Sequence, residues 1–272
     1  MILTLAPSAE EHAQQAFSEA TLLQAYKSFS ESGGLVLEEV FSVVLIERLY
    51  DHFVENYRSY FEDKSYADAL LVGHKRLMIT VDLVEPFHDP LVYANPWVYP
   101  LIQKILGAKF ILNGFGAVIA LPGSHSQHIH RDLSSLFLDD MADAIVPCYA
   151  LNVIIPLVDL TERNGTTRIW PGSHTRYDQS VEKLSKTLEF QDPLLKRGSC
   201  LLIDYRLIHS GLGNTSGEVR PIFYNTYSRP WFRDPVNYKK QPGVMISAEA
   251  LSRVPKIYQD LFAASSPLPS LG

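Results

Sequence analysis

The run Phe110-Ile111-Leu112-Asn113-Gly114-Phe115-Gly116-Ala117-Val118-Ile119-Ala120-Leu121 decides how this chain folds. It follows Gly107, where the texture of the sequence changes. From here on, short stretches rich in β-favouring residues recur at 149–157, 166–170, 199–204 and 221–227, separated by Gly, Pro, Asn and Ser. Regular short strands with that punctuation predict a β-sandwich or barrel.

Working outward, the N-terminal side reads as helical. Residues 8–29 form an amphipathic pattern, with Ser8 and Glu11 spaced as a capping box and Gly33-Gly34 as the stop. Residues 35–40 read as a short strand. Over 43–60, apolar side chains recur at Ile46, Leu49, Tyr50, Phe53, Tyr57 and Tyr60, which is helical spacing. A further helix is expected over 98–106, ending at Gly107, and another over 248–262. Helices first and strands later argue against alternating βαβ units. The expectation is a mainly β fold with flanking helices in one domain, 1–272. It has a helix-rich part at 1–107, a β core at 108–230 and a C-terminal extension at 231–272. No repeat, low-complexity segment or long linker divides it.

The 272 residues are 46% hydrophobic, enough for one large core. The net charge of -6, with no basic stripe, argues against a nucleic-acid partner. The N-terminus shows no secretory pattern, and runs such as 117–121 are far too short to span a bilayer, so no membrane association is expected. Cys148 and Cys200 sit in apolar, strand-like runs and read as buried free thiols. That places the chain in a reducing compartment, the cytoplasm, as a monomer or homodimer.

His130-Arg131-Asp132 is the one His-x-Asp or His-x-Glu triplet in the chain. Composition alone gives about one such match by chance, so the triplet is not decisive by itself. Its geometry suits a metal, however. In an extended segment, residues two apart face the same side, so one imidazole and one carboxylate can approach the same ion. A second His from a distant strand would complete a facial set and leave three adjacent positions open, which suits iron(II). His209, at the end of a strand-like run, is the best candidate.

Three segments resemble the phytanoyl-CoA dioxygenase family in order and spacing. The run from Asn164-Gly165 to Pro171-Gly172-Ser173-His174 looks like its Asn-Gly-x-x-x-x-x-Pro-Gly-Ser-His motif. Gln127-His128-Ile129-His130-Arg131-Asp132 matches its Gln-x-x-His-x-Asp. Residues 198–204, His209, Asn214-Thr215 and Arg220-Pro221 match its closing segment. The resemblance implies a double-stranded β-helix, a cupin-like jelly roll with helices outside it. It implies that His130, Asp132 and His209 bind iron(II), and that Arg220 holds the distal carboxylate of 2-oxoglutarate. An Arg fork suits this because it pairs with a carboxylate through two parallel hydrogen bonds. Gln127 and Thr167 match positions that contact the co-substrate in relatives. The implied reaction uses O2 and releases succinate and CO2. The expected outcome is hydroxylation of an unactivated C–H bond in a small molecule, a specialised metabolite or modified amino acid.

Other readings compete. His128 and His130 also begin a cupin metal motif, for a metal enzyme not using 2-oxoglutarate. The acidic residue such a motif wants is replaced by Ser134 and Ser135. A catalytically silent binding protein of the same fold would be expected to lack a ligand or the Arg, and a halogenase would lack Asp132. His174 reads as a structural residue of its turn, and His88 as a turn residue. Gly73-His74-Lys75-Arg76 reads as a solvated basic turn, too little for a CoA nucleotide. Residues 133–147 read as a mobile lid over the iron, and 229–233 as either pocket wall or core.

Overall fold

Along the long strands, successive side chains face opposite layers, and here both sets are mostly apolar. In β9 (Cys200–Asp204), Cys200 and Leu202 point one way, Leu201 and Ile203 the other. A strand patterned like this is buried on both faces, so the sheet needs a layer on each side.

The computed structural model describes residues 1–238 and 242–268; positions 239–241 and 269–272, within the expected extension, lie outside the described residues. Besides β9, the strands are β1 (Leu3–Leu5), β2 (Gly34–Leu37), β3 (Leu70–Gly73), β4 (Arg76–Thr80), β5 (Asp82–Leu83), β6 (Ile111–Ala120), β7 (Ala150–Pro156), β8 (Thr167–Ile169), β10 (His209–Gly211), β11 (Arg220–Ser228), β12 (Met245–Ile246) and β13 (Ser266–Pro267). The helices are α1 (Ala9–Gln14), α2 (Glu19–Ser32), α3 (Val43–Tyr57), α4 (Pro90–Tyr93), α5 (Tyr99–Leu106), α6 (Asp140–Ile145), α7 (Val181–Thr187) and α8 (Ala248–Arg253).

Eight strands form the main sheet in the order β1-β2-β9-β7-β11-β6-β4-β3, antiparallel except for β1–β2. One face carries Leu37, Val153, Leu202 and Phe223, which pack with Phe29, Ile46, Phe53 and Leu101 of α2, α3 and α5. Phe53 meets Phe223 edge-on, with ring centroids 5.4 Å apart. Burying a ring of this kind contributes roughly 1.5–3 kcal/mol. The other face carries Val36, Ile154, Ile203 and Ile222, which pack against Ile169 and Leu207 of a second, smaller layer. That layer is β10 paired with β8. It is extended on one side by residues 124–130, bridged at Ser124–Asn214 and His130–His209, and on the other by Gln191 against Ile169. The two layers make the jelly roll that the sequence motifs imply.

Three expectations need correction. The single helix over 8–29 is two, because Gln15 takes a left-handed conformation (φ 52°) and Ser18 caps a new start. The Glu11 carboxylate bridges the break, accepting from the Ser8 and Ser18 amides and from the Thr21 hydroxyl. The helix over 248–262 breaks at Pro255, which has no N–H to continue it, and resumes as a 3-10 turn over Lys256–Phe262. The hairpin β3–β4, not anticipated, adds the edge that brings Arg76 inward. Cys148 and Cys200 are free thiols, as expected; Cys200 is buried, whereas Cys148 is only half-buried. No helix among the described residues is long and apolar enough to cross a membrane.

Candidate metal centre and co-substrate pocket

Between the two sheets lies a cavity of about 340 Å³. His130, Asp132 and His209 line it together with Gln127, Thr167 and Arg220, so every site residue expected from sequence faces one space. The two histidines are directly opposed across an antiparallel pair: each backbone N–H donates to the other's carbonyl, at 3.0 and 2.9 Å. Asp132 follows two residues after His130, its own N–H donating to the Tyr205 carbonyl at 3.1 Å. One ligand atom from each of the three side chains falls within 4.8 Å of the other two.

The tautomers follow from backbone contacts. His130 Nδ1 lies 2.8 Å from the His128 carbonyl and His209 Nδ1 lies 2.9 Å from the Leu207 carbonyl. Each Nδ1–H therefore donates, which leaves the Nε2 lone pair free. Asp132 Oδ1 sits 3.7 Å from His209 Nε2 and 4.0 Å from His130 Nε2. Burial, reinforced by His209, pushes the His130 imidazole down to about 3, so it is neutral and available as a ligand. Burial raises the Asp132 carboxyl. A divalent cation between these groups offsets the cost of burying that carboxylate. Two imidazoles and one carboxylate fit iron(II).

Buried cations also line this cavity. Arg220 is 1% exposed, and its Nε and Nη2 have no hydrogen-bond partner among the described residues. Burial, with added repulsion from Arg76, pulls its guanidinium down to about 9, still charged near neutral pH. Arg76, also 1% exposed, donates to the Leu212 carbonyl at 2.6 Å and the His125 carbonyl at 3.2 Å. Its Nε is likewise without a partner. Two buried guanidinium groups with no carboxylate beside them among the described residues call for an anion. Gly211 keeps the cradle open: a Cβ there would lie 2.6 Å from Arg76 Nη1 and against Gln127 Oε1. Gln127 itself is largely occupied, donating to the Val72 carbonyl at 2.8 Å and accepting from the Gly211 amide at 3.1 Å. It ties β3 to β10 and keeps one N–H for a ligand. Thr167 lines the cavity from β8, opposite Gly211.

Arg76 is therefore no solvated turn residue. The signal was the alternation in Arg76-Leu77-Met78-Ile79, which places Arg76 and Met78 on one strand face, both lining the cavity. The expected lid is also corrected. None of residues 133–147 lines the cavity. Leu133, Leu136 and Val146 pack instead with Tyr149, Tyr205 and Phe232. The Asp143 carboxylate accepts from the Ser135 hydroxyl and the Leu136 amide, and Arg206 donates to the Val146 carbonyl. Val236, Asn237 and Tyr238 line the cavity instead. Of 229–233, Phe232 is core and Trp231 is 58% exposed. His174 is structural, as expected: it is buried, with Nε2 3.1 Å from the Ser30 carbonyl. His88 pairs with Glu85 at 3.1 Å, away from the site.

Comparison with known proteins agrees with this geometry. Residues 29–222 match the family described as phytanoyl-CoA dioxygenase (PhyH). The dioxygenase af480 of Aspergillus fumigatus is 32% identical over 167 residues, 60% of this chain and 51% of that protein, so the chain spans about half that relative's length. Among solved structures, HygX from Streptomyces hygroscopicus, with nickel and 2-oxoglutarate bound, has a TM-score of 0.61 at 16% identity, covering 80% of this chain and 89% of that one. The non-heme alpha-ketoglutarate-dependent epimerase SnoN from nogalamycin biosynthesis has a TM-score of 0.60 at 16% identity, covering 78% and 84%. These structures share the fold. The family match takes in more than half of the chain, and the protein belongs to the phytanoyl-CoA dioxygenase family, oxidoreductases that depend on iron(II), 2-oxoglutarate and O2.

Proposed function

We propose that this protein hydroxylates an unactivated C–H bond of a free small molecule, a specialised metabolite or modified amino acid, at the expense of 2-oxoglutarate. The observation that carries the reading is a three-ligand site sharing one cavity with two buried, unpaired guanidinium groups. In this reading His130 Nε2, His209 Nε2 and Asp132 Oδ1 hold iron(II). Arg220, assisted by Arg76, binds the distal carboxylate of 2-oxoglutarate, with Thr167 and the remaining N–H of Gln127 beside it.

Bound iron(II) supplies the coupling of 2-oxoglutarate decarboxylation to C–H oxidation by O2, one oxygen atom going to succinate and the other to product. The chain supplies the rest. The Nδ1 contacts lock both imidazoles in the ligating tautomer. Ile154, Ile203, Ile222 and Val118 make the wall apolar and exclude water, which strengthens the arginine–carboxylate contact. Tyr205, Asn237 and Tyr238 line the same cavity and offer polar groups that can orient a substrate. Support for a specialised metabolite comes from the fold shared with SnoN, an epimerase from nogalamycin biosynthesis.

The test is a metabolite-library screen with iron(II), 2-oxoglutarate and 18O2. The expected result is substrate-stimulated succinate and a product that carries one labelled oxygen. Oxidation that proceeds without 2-oxoglutarate would replace this reading with a cupin-type oxygenase.

A further inference from the structure

Asp132 has two oxygens, and the structure treats them differently. Oδ1 faces both imidazoles, while Oδ2 accepts a hydrogen bond from Asn152 Nδ2 at 2.7 Å. Asn152 lies on β7 directly across from Thr226 on β11. Its Oδ1 is 2.6 Å from the Thr226 hydroxyl, which in turn lies 3.4 Å from the Tyr238 hydroxyl.

The sense of this chain is forced. An ionised carboxylate only accepts, so Asn152 must turn its NH2 toward Asp132. Its oxygen then faces Thr226, whose hydroxyl must donate to it. The Thr226 oxygen is left to accept from Tyr238. Room for Tyr238 comes from Gly114, the partner of Thr226 on β6: a Cβ there would lie 2.7 Å from Tyr238 Cζ.

We propose that Asn152 and Thr226 are positioning residues that hold Asp132 to a single metal-facing oxygen. Asn152 occupies Oδ2, and Thr226 keeps the Asn152 amide from rotating. A carboxylate free to pivot could offer both oxygens and take one of the positions that 2-oxoglutarate and O2 need. Partners of metal ligands commonly matter at this level, and their loss costs roughly 10–100-fold in metal affinity or activity. The proposal rests on the functional reading above, that Asp132 binds iron(II).

The experiment measures anaerobic iron(II) affinity and the visible band formed with 2-oxoglutarate, alongside thermal unfolding of the metal-free proteins. Asn152→Ala should bind iron(II) roughly 10–100-fold more weakly and show a shifted band. Thr226→Val should show the same effect in smaller degree, while Thr226→Ser, which keeps the hydroxyl, should restore wild-type behaviour. If folded Asn152→Ala and Thr226→Val bind iron(II) and form the band like wild type, the positioning role is overturned. If the wild type itself binds no iron(II), the functional reading fails instead, and the two failures are distinguishable.

Discussion

Arg76 on β4 and Arg220 on β11 are both in register with Ala120 of β6, one on either side of it, and both guanidinium groups are buried. Burial lowers both guanidinium values, repulsion from Arg76 lowers that of Arg220 further, and among the described residues no carboxylate pairs with either. The arrangement is costly without a ligand and favourable with a dicarboxylate. Arg220→Met should therefore act in opposite directions. It should stabilise the ligand-free protein by about 1 kcal/mol or more, and weaken 2-oxoglutarate binding by about 3–5 kcal/mol. Calorimetry with and without 2-oxoglutarate checks both signs; unchanged co-substrate affinity would move the anchor to Arg76.

Gly211 gives a second handle on the same cradle. Adding a methyl group there pushes on Arg76 Nη1, and the guanidinium cannot retreat freely because its Nη2 donates to the Leu212 carbonyl at 2.6 Å. Gly211→Ala should weaken 2-oxoglutarate binding by roughly tenfold or more, the worth of one charged hydrogen bond. Iron(II) affinity should stay unchanged, because the ligand atoms are not crowded. A metal titration run beside a co-substrate titration separates the two effects.

Much of the candidate metal site was legible because its chemistry is local. His130 and Asp132 share a face by strand geometry alone, and His209 closes a strand-like run. Arg220 and Thr167 were legible only through the family resemblance. Arg76 was hidden because its burial depends on β4 pairing with β6, a long-range register that a Gly-His-Lys-Arg string does not display. Sequence adjacency to Asp132 misdirected the reading of 133–147. Leu133, Leu136 and Val146 find partners in Tyr149 and Phe232 while Phe137, Leu138, Met141 and Ile145 are exposed, and the cavity is lined instead by Val236 to Tyr238, about a hundred residues later in the chain. The break at Gln15 was invisible because the apolar periodicity runs through it, and the cap at Ser18 decides.

That break makes a pH-dependent prediction. The Thr21 hydroxyl, at 2.6 Å, and the Ser8 and Ser18 amides, at 2.9 and 2.8 Å, hold the Glu11 carboxyl down from 4.5 to about 2. A depressed folded-state value means the stabilisation is complete above the unfolded value and is lost as pH falls through the folded one. Glu11→Gln should destabilise by about 1–2 kcal/mol near neutral pH. The gap from wild type should close between about pH 4.5 and 2. Denaturant unfolding across that window checks it; a gap that stays constant would show that the carboxylate charge is irrelevant.

The central claim is that His130, Asp132, His209 and Arg220 form one iron and 2-oxoglutarate site. It is tested most directly by anaerobic addition of iron(II) and then 2-oxoglutarate to the wild type, His209→Ala and Arg220→Ala, followed by visible absorption. A weak charge-transfer band should appear in the wild type. It should be absent in His209→Ala, and should return in Arg220→Ala only at far higher 2-oxoglutarate. An undiminished band in His209→Ala, or tight zinc binding with no band in the wild type, would contradict the account.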